Sequence, residues 1–155
     1  MDGSLVDVGK LAEPATRLIE KVSDAVGWVM EPTQIRRIER AEADAAKVEL
    51  LSRLELEGIQ RRTLERWAVE EVRKQRNMEQ ITAQALGGVK EDARPDDLDN
   101  DWIVNFFDKT RLTSDTKMQQ LWARVLAGEA NKPGYYSKRA VNALAWFNAE
   151  DAEML

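Results

Sequence analysis

The chain is 155 residues long, about one domain by length, and carries 23 Lys and Arg against 28 Asp and Glu, a formal net charge of −5. It has no Cys and no His. That excludes disulfide frameworks, thiol nucleophiles, zinc fingers and iron–sulfur sites, and equally Ser-His-Asp triads, imidazole bases and zincin motifs.

Residues 1–31 read as an N-terminal amphipathic helix. Val8, Ala15, Val22 and Val29 recur every seven residues, with Leu11, Leu18 and Ala25 at the same interval. Ile19 and Val26 widen the stripe to the face of a helix packed on something larger. Pro14 suits a first helical turn, so a firm helix is expected from there to about Met30, where Glu31-Pro32 stops it. Two uses of the stripe Val8, Leu11, Leu18, Ile19, Val22, Val26, Val29 remain open: packing against neighbours, or lying on a membrane. A lipid-binding helix wants Lys and Arg on its polar face, whereas Lys10, Arg17 and Lys21 here face five carboxylates.

Residues 32–86 are dominated by Glu, Arg, Ala, Leu and Gln, with Gly58 the only glycine. One helix is expected over 33–86, which would be about 80 Å long at 1.5 Å per residue. Glu49–Arg53, Glu57–Arg61 and Glu70–Lys74 set an acid four residues before a base, the favourable order, each worth about 0.3–0.5 kcal/mol. The apolar positions drift along the segment, as in a helix that changes partners. So long a helix has too little chain left to cover it. Homo-oligomerisation is therefore expected through Ile35, Ile38, Ala45, Val48, Leu56, Ile59 and Trp67. The charges balance and aromatics do not interleave with the bases, so nucleic acid is not expected as a partner.

Residues 87–100 open with Gly87-Gly88 as a helix stop and continue as an acidic, Pro-broken stretch, expected to be a solvated linker. It lacks the ligand-and-Gly order of a calcium loop. Residues 101–155 read as a small helical bundle. A helix from Asp101 places Trp102, Ile103, Phe106 and Phe107 on one face. A second, capped by Thr113-Ser114-Asp115, aligns Met118, Leu121, Trp122, Val125 and Leu126 and is stopped by Gly128 and the Asn131–Gly134 stretch. Ser137 caps a third, and Asn148 opens a fourth that has barely begun at Leu155. The fold class expected is all-α: a long coiled-coil-like helix, an N-terminal amphipathic helix and a C-terminal helical module, with the chain expected to be a fragment cut at its C-terminal end.

The run Leu121-Trp122-Ala123-Arg124-Val125-Leu126-Ala127-Gly128-Glu129, with Asp101-Trp102-Ile103 and Phe107-Asp108 before it and Pro133-Gly134 and Ser137-Lys138-Arg139 after it, resembles the signature of an uncharacterised bacterial family, a domain of unknown function. A similar segment occurs in the abortive-infection alpha family of phage-defence proteins. The resemblance covers about 55 C-terminal residues and extends loosely over 20–85. It implies a bacterial cytosolic protein with a role in phage defence and a chain that continues into a further globular part; it implies no enzyme activity, catalytic residues or cofactor.

The expectation is thus a non-enzymatic, oligomeric scaffold or interaction component of an antiphage system, cytoplasmic, with a partner protein. Trp102, Phe106, Phe107 and Trp122 would form the interaction module's core, and Arg124, Glu129, Lys138 and Arg139 the polar contacts around it. The alternative is a membrane-acting effector, peripheral to the inner membrane through the N-terminal helix. A remoter one is a carboxylate-dependent metal hydrolase, whose candidate groups are Asp101 and Asp108, two helical turns apart. Those two groups also fit plain structural work, Asp101 at a helix start and Asp108 beside a base. No catalytic, cofactor or metal residue is assigned.

Overall fold

The structure, a computed structural model, describes residues 12–27, 49 and 57–154. Among these the regular elements are all helical: α1 (Glu13–Val26), α2 (Gly58–Leu86), a 3₁₀ turn (Pro95–Asp97), α3 (Asn100–Thr110), α4 (Thr116–Asn131), α5 (Lys138–Leu144) and α6 (Ala149–Glu153).

In α1, Pro14 occupies the first turn, where its missing N–H is no loss. Ala15, Leu18, Ile19 and Val22 are buried, while Glu13, Arg17, Glu20 and Asp24 face outward. The helix lies on α3 and on the 3₁₀ turn. It ends at Val26, short of the expected Met30, because Gly27 takes φ 93° and its N–H returns to the Ser23 carbonyl at 2.9 Å. Glycine adopts that backbone without steric cost. Arg17 holds Glu13 one turn back and reaches across to Asp96, and these bonds raise its guanidinium above the ordinary arginine range.

The long helix begins later than expected. Glu57 has extended backbone and caps α2 reciprocally with Gln60, which accepts the Glu57 N–H at 3.2 Å. Gly58 therefore opens a helix of 29 residues, roughly 43 Å long. Its C-terminal half enters the module, burying Met78, Ile81, Thr82, Ala85 and Leu86, and packs chiefly on α4. Gly87-Gly88 does end it, but by close approach rather than by a left-handed cap. Gly87 is right-handed, and a Cβ on Gly88 would lie 3.0 Å from the Ala127 Cβ.

The expected solvated linker is instead a packed connection. Asn131, last in α4, accepts the Lys90 N–H and donates to the Gly88 carbonyl, both at 2.9 Å. The Arg94 N–H donates to the Ala130 carbonyl at 2.8 Å, and Pro95 and Leu98 are buried. Acidic side chains face water while the backbone and two apolar residues hold the segment down.

Asp99 caps α3, whose first residue Asn100 lies one position before the expected start, and Asp115 rather than Thr113 or Ser114 caps α4. Ser137 caps α5 and Asn148 caps α6 as expected. α4 is the central helix. Besides Met118, Leu121, Trp122, Val125 and Leu126 it buries Ala123, Ala127 and Ala130, so it is covered nearly all round. Phe106 sits at the middle of the core, stacked on Trp102 at 5.2 Å and edge-on to Phe107 and Trp122 at 5.0 and 5.7 Å. Such geometries add about 0.5–1.5 kcal/mol per pair to plain burial.

Candidate functional site

One set of specific contacts surrounds the end of α4 and the turn that follows. Gly128 lies inside the helix, not at its stop, and a Cβ there would meet the Tyr136 ring at 2.9 Å. The ring rests where only glycine leaves room. Next to it, Glu129 is 2% exposed and its two carboxylate oxygens accept the Gly134 and Tyr136 N–H groups at 3.2 and 3.0 Å. Gly134 supplies the bend, with φ 90°. Tyr136 in turn accepts the Trp102 indole N–H on its carbonyl at 2.8 Å. Gly128, Glu129, Tyr136 and Trp102 thus form one clasp that binds the α4–α5 turn to α4 and α3. A buried carboxylate between two backbone donors is held by charge-assisted bonds.

A second buried polar group joins α2 to α4. The Asn77 amide donates to the Arg111 carbonyl at 2.9 Å and to Ser114 Oγ at 3.1 Å. The Gln119 amide approaches the Thr113 carbonyl at 2.9 Å, Gln80 at 3.1 Å and Asn77 at 3.3 Å. These groups fix the α3–α4 turn against α2. Sequence reasoning missed them, although both residues sit on apolar stripes: Asn77 four before Ile81, Gln119 three before Trp122. A polar residue on such a stripe is the available signal.

The expected site residues do not converge. Trp102, Phe106, Phe107 and Trp122 are buried core and present nothing to a partner. Glu129 faces the clasp. Arg124 is exposed beside a groove of about 440 Å³ between α2 and α4, floored by Ala85, Gly88, Ala123 and Ala127 and edged by Gln84 and Gln120. Lys138 and Arg139 are exposed in the first turn of α5. Ile59 and Trp67 are 65% and 57% exposed on α2. Ile35, Ile38, Ala45, Val48 and Leu56 lie outside the described residues, as do Val8, Leu11 and Val29. Of the candidate lipid face, Leu18, Ile19 and Val22 are buried and Val26 packs against the core.

Of the two carboxylates considered for hydrolysis, Asp101 is exposed in the first turn of α3 and Asp108 pairs with Arg111 at 3.3 Å and Lys109 at 3.6 Å. Among the described residues no group of three or more Asp and Glu side chains is placed to hold a metal ion, and no helix is long and apolar enough to cross a membrane.

The model of a family described as a protein of unknown function, DUF2806, matches residues 61–155. No curated protein and no solved structure matches the chain.

Proposed function

The chain belongs to the DUF2806 family of proteins of unknown function, and from that premise we propose that it is a non-enzymatic, self-associating helical scaffold in a bacterial antiphage system. The observation that carries the reading is the contrast between its aromatic side chains. Trp102, Phe106, Phe107 and Trp122 are spent on the core, whereas Trp67 and Trp146 stand 57% and 89% exposed. Exposed aromatics of this size mark contact surfaces. Trp67 and Ile59 on α2 are the residues for a second copy of the chain. Trp146, with Met154 beyond it at the far end of the sequence, is available to a partner protein. The polar groups of the Trp-Ala-Arg-Val-Leu-Ala-Gly-Glu run support the same view, since Glu129 serves backbone donors and Gly128 makes room for a ring. The defence context rests on the resemblance of that run to the abortive-infection alpha family, and with it go a bacterial origin and a cytoplasmic location.

Phage plating on cells that carry the gene in its own neighbourhood tests the reading. Protection should survive Asp101→Asn with Asp108→Asn and be lost in Ile59→Glu with Trp67→Glu. Loss on the carboxylate exchange alone would point to hydrolysis instead. Engagement of lipid would need α1 to leave the core that buries Leu18, Ile19 and Val22. Flotation with liposomes abolished by Val22→Glu with Val26→Glu, on a chain that otherwise stays folded, would support that alternative.

A further inference from the structure

The acidity of the chain stops at the end of α4. Residues 130–149 contain Lys132, Lys138 and Arg139 and no carboxylate, in a chain whose net charge is −5. All three cations are exposed, and none of them is in an ion pair among the described residues. Two large aromatic side chains stand exposed in the same stretch, Tyr135 at 63% and Trp146 at 89%. Lys132 Nζ lies 5.7 Å from the centre of the Tyr135 ring.

The buried Val141 sets how α5 presents these groups. It pins one side of the helix to the core, so Arg139, Ala143 and Trp146, at i, i+4 and i+7, face water with Lys138 beside them. The face is also held in shape. The Asn105 amide donates to Asn142 Oδ1 at 3.0 Å and seats α5 on α3, and Tyr135 lies edge-on to the anchored Tyr136 ring at 4.8 Å. A partner therefore meets a surface that needs little ordering.

The residue types decide which partner suits it. Trp, Tyr and Arg dominate the binding energy of protein interfaces, and unpaired cations beside them call for carboxylates on the other side. A single nucleic-acid strand asks instead for a basic track along its backbone, and three cations in a net acidic chain make a poor one. Arg139 and Trp146 are about 10 Å apart along the helix axis, a distance that about three residues of extended peptide cover.

We propose that the outer face of α5 binds an acidic segment of a partner protein. Carboxylates of that segment meet Lys138 and Arg139, an apolar side chain about three residues away packs on Trp146, and Lys132 with Tyr135 extends the face. This rests on the reading of Trp146 as a contact for a partner protein and adds the chemistry of that partner.

The probe is a synthetic peptide, acetyl-Glu-Asp-Glu-Gly-Ser-Leu-Phe-amide, titrated into the isotope-labelled full chain and followed by backbone and indole N–H shifts. Binding is expected with a Kd of order 0.1–1 mM, with the shifts centred on the stretch from Lys132 to Trp146. Lys138→Glu with Arg139→Glu, and separately Trp146→Ala, should each weaken it about tenfold. Both change exposed positions, and circular dichroism checks that their helical content is native. Absence of binding at several times that concentration would overturn the proposal, and so would shifts centred on another surface. Equal binding of the peptide with Gln-Asn-Gln in place of its acids would also overturn it. Tighter binding of oligothymidylate at the same residues would assign the face to phosphates and overturn it too. Sedimentation keeps this inference apart from the scaffold reading: a monomeric native chain that binds the peptide refutes the scaffold alone, and a multimer that ignores the peptide refutes this inference alone.

Discussion

Glu129→Leu removes the acceptor for two backbone N–H groups while filling the same space with an apolar side chain. Hydrogen bonds to a charged group contribute about 1.5–3 kcal/mol each, and the loss is greatest where the orphaned donor stays buried. Tyr136 is half-buried and its bond is 3.0 Å; Gly134 is exposed, its bond is 3.2 Å, and its N–H can return to water. The expected destabilisation is therefore about 2–4 kcal/mol, below the sum of two full charged bonds. Glu129→Gln keeps one acceptor and should cost about half as much. For a domain of this size the leucine variant should melt roughly 10 °C lower. Urea titration followed by circular dichroism reads both variants. Trp102→Phe removes the indole N–H that the Tyr136 carbonyl accepts, so its effect and that of Glu129→Leu should be non-additive by about 0.5 kcal/mol or more. A leucine variant within about 0.5 kcal/mol of wild type, additive with Trp102→Phe, would refute the clasp.

Asn77→Ala leaves the Arg111 carbonyl and Ser114 short of a donor at the α2–α4 junction and should cost about 2–3 kcal/mol in the same titration. Gly88→Ala must push Ala127 away from a 3.0 Å contact between helices and should destabilise by about 1 kcal/mol, where an open site would gain from the exchange. Ser137→Ala removes the acceptor for the Ala140 N–H and should cost about 1 kcal/mol, read by denaturant midpoint. Arg17→Ala, by contrast, breaks only exposed ion pairs to Glu13 and Asp96, so the denaturant midpoint should barely move, and what change there is should shrink further in salt.

The all-helical class and the C-terminal core were legible because aromatic and aliphatic residues at helical spacing have one sensible destination. Ser137 and Asn148 were legible as caps for a similar reason: each precedes its helix with a short acceptor. The start of α2 is hidden in the sequence because Gly58, inside a run of strong helix formers, has the signature of a tolerated interior glycine. Glu57 and Gln60 cap each other there, and only the backbone angle reveals it. The 87–100 stretch looked solvated because its side chains are acidic. Its anchoring is through backbone groups to Ala130 and Asn131, which composition does not record. The signature run is legible as a motif, but nothing in its sequence says which way its polar members face. Glu129 turns inward because the bend at Gly134 presents two donors to it, a long-range consequence of the turn.

The claim on which the account depends is that the exposed side of α2 joins copies of the chain. Sedimentation equilibrium at tens of micromolar tests it directly against the 17.6 kDa chain mass. The native protein should give an integral multiple of that mass, and Ile59→Glu with Trp67→Glu should return it to a folded monomer. A native chain that sediments as a single 17.6 kDa species across that range would contradict the claim.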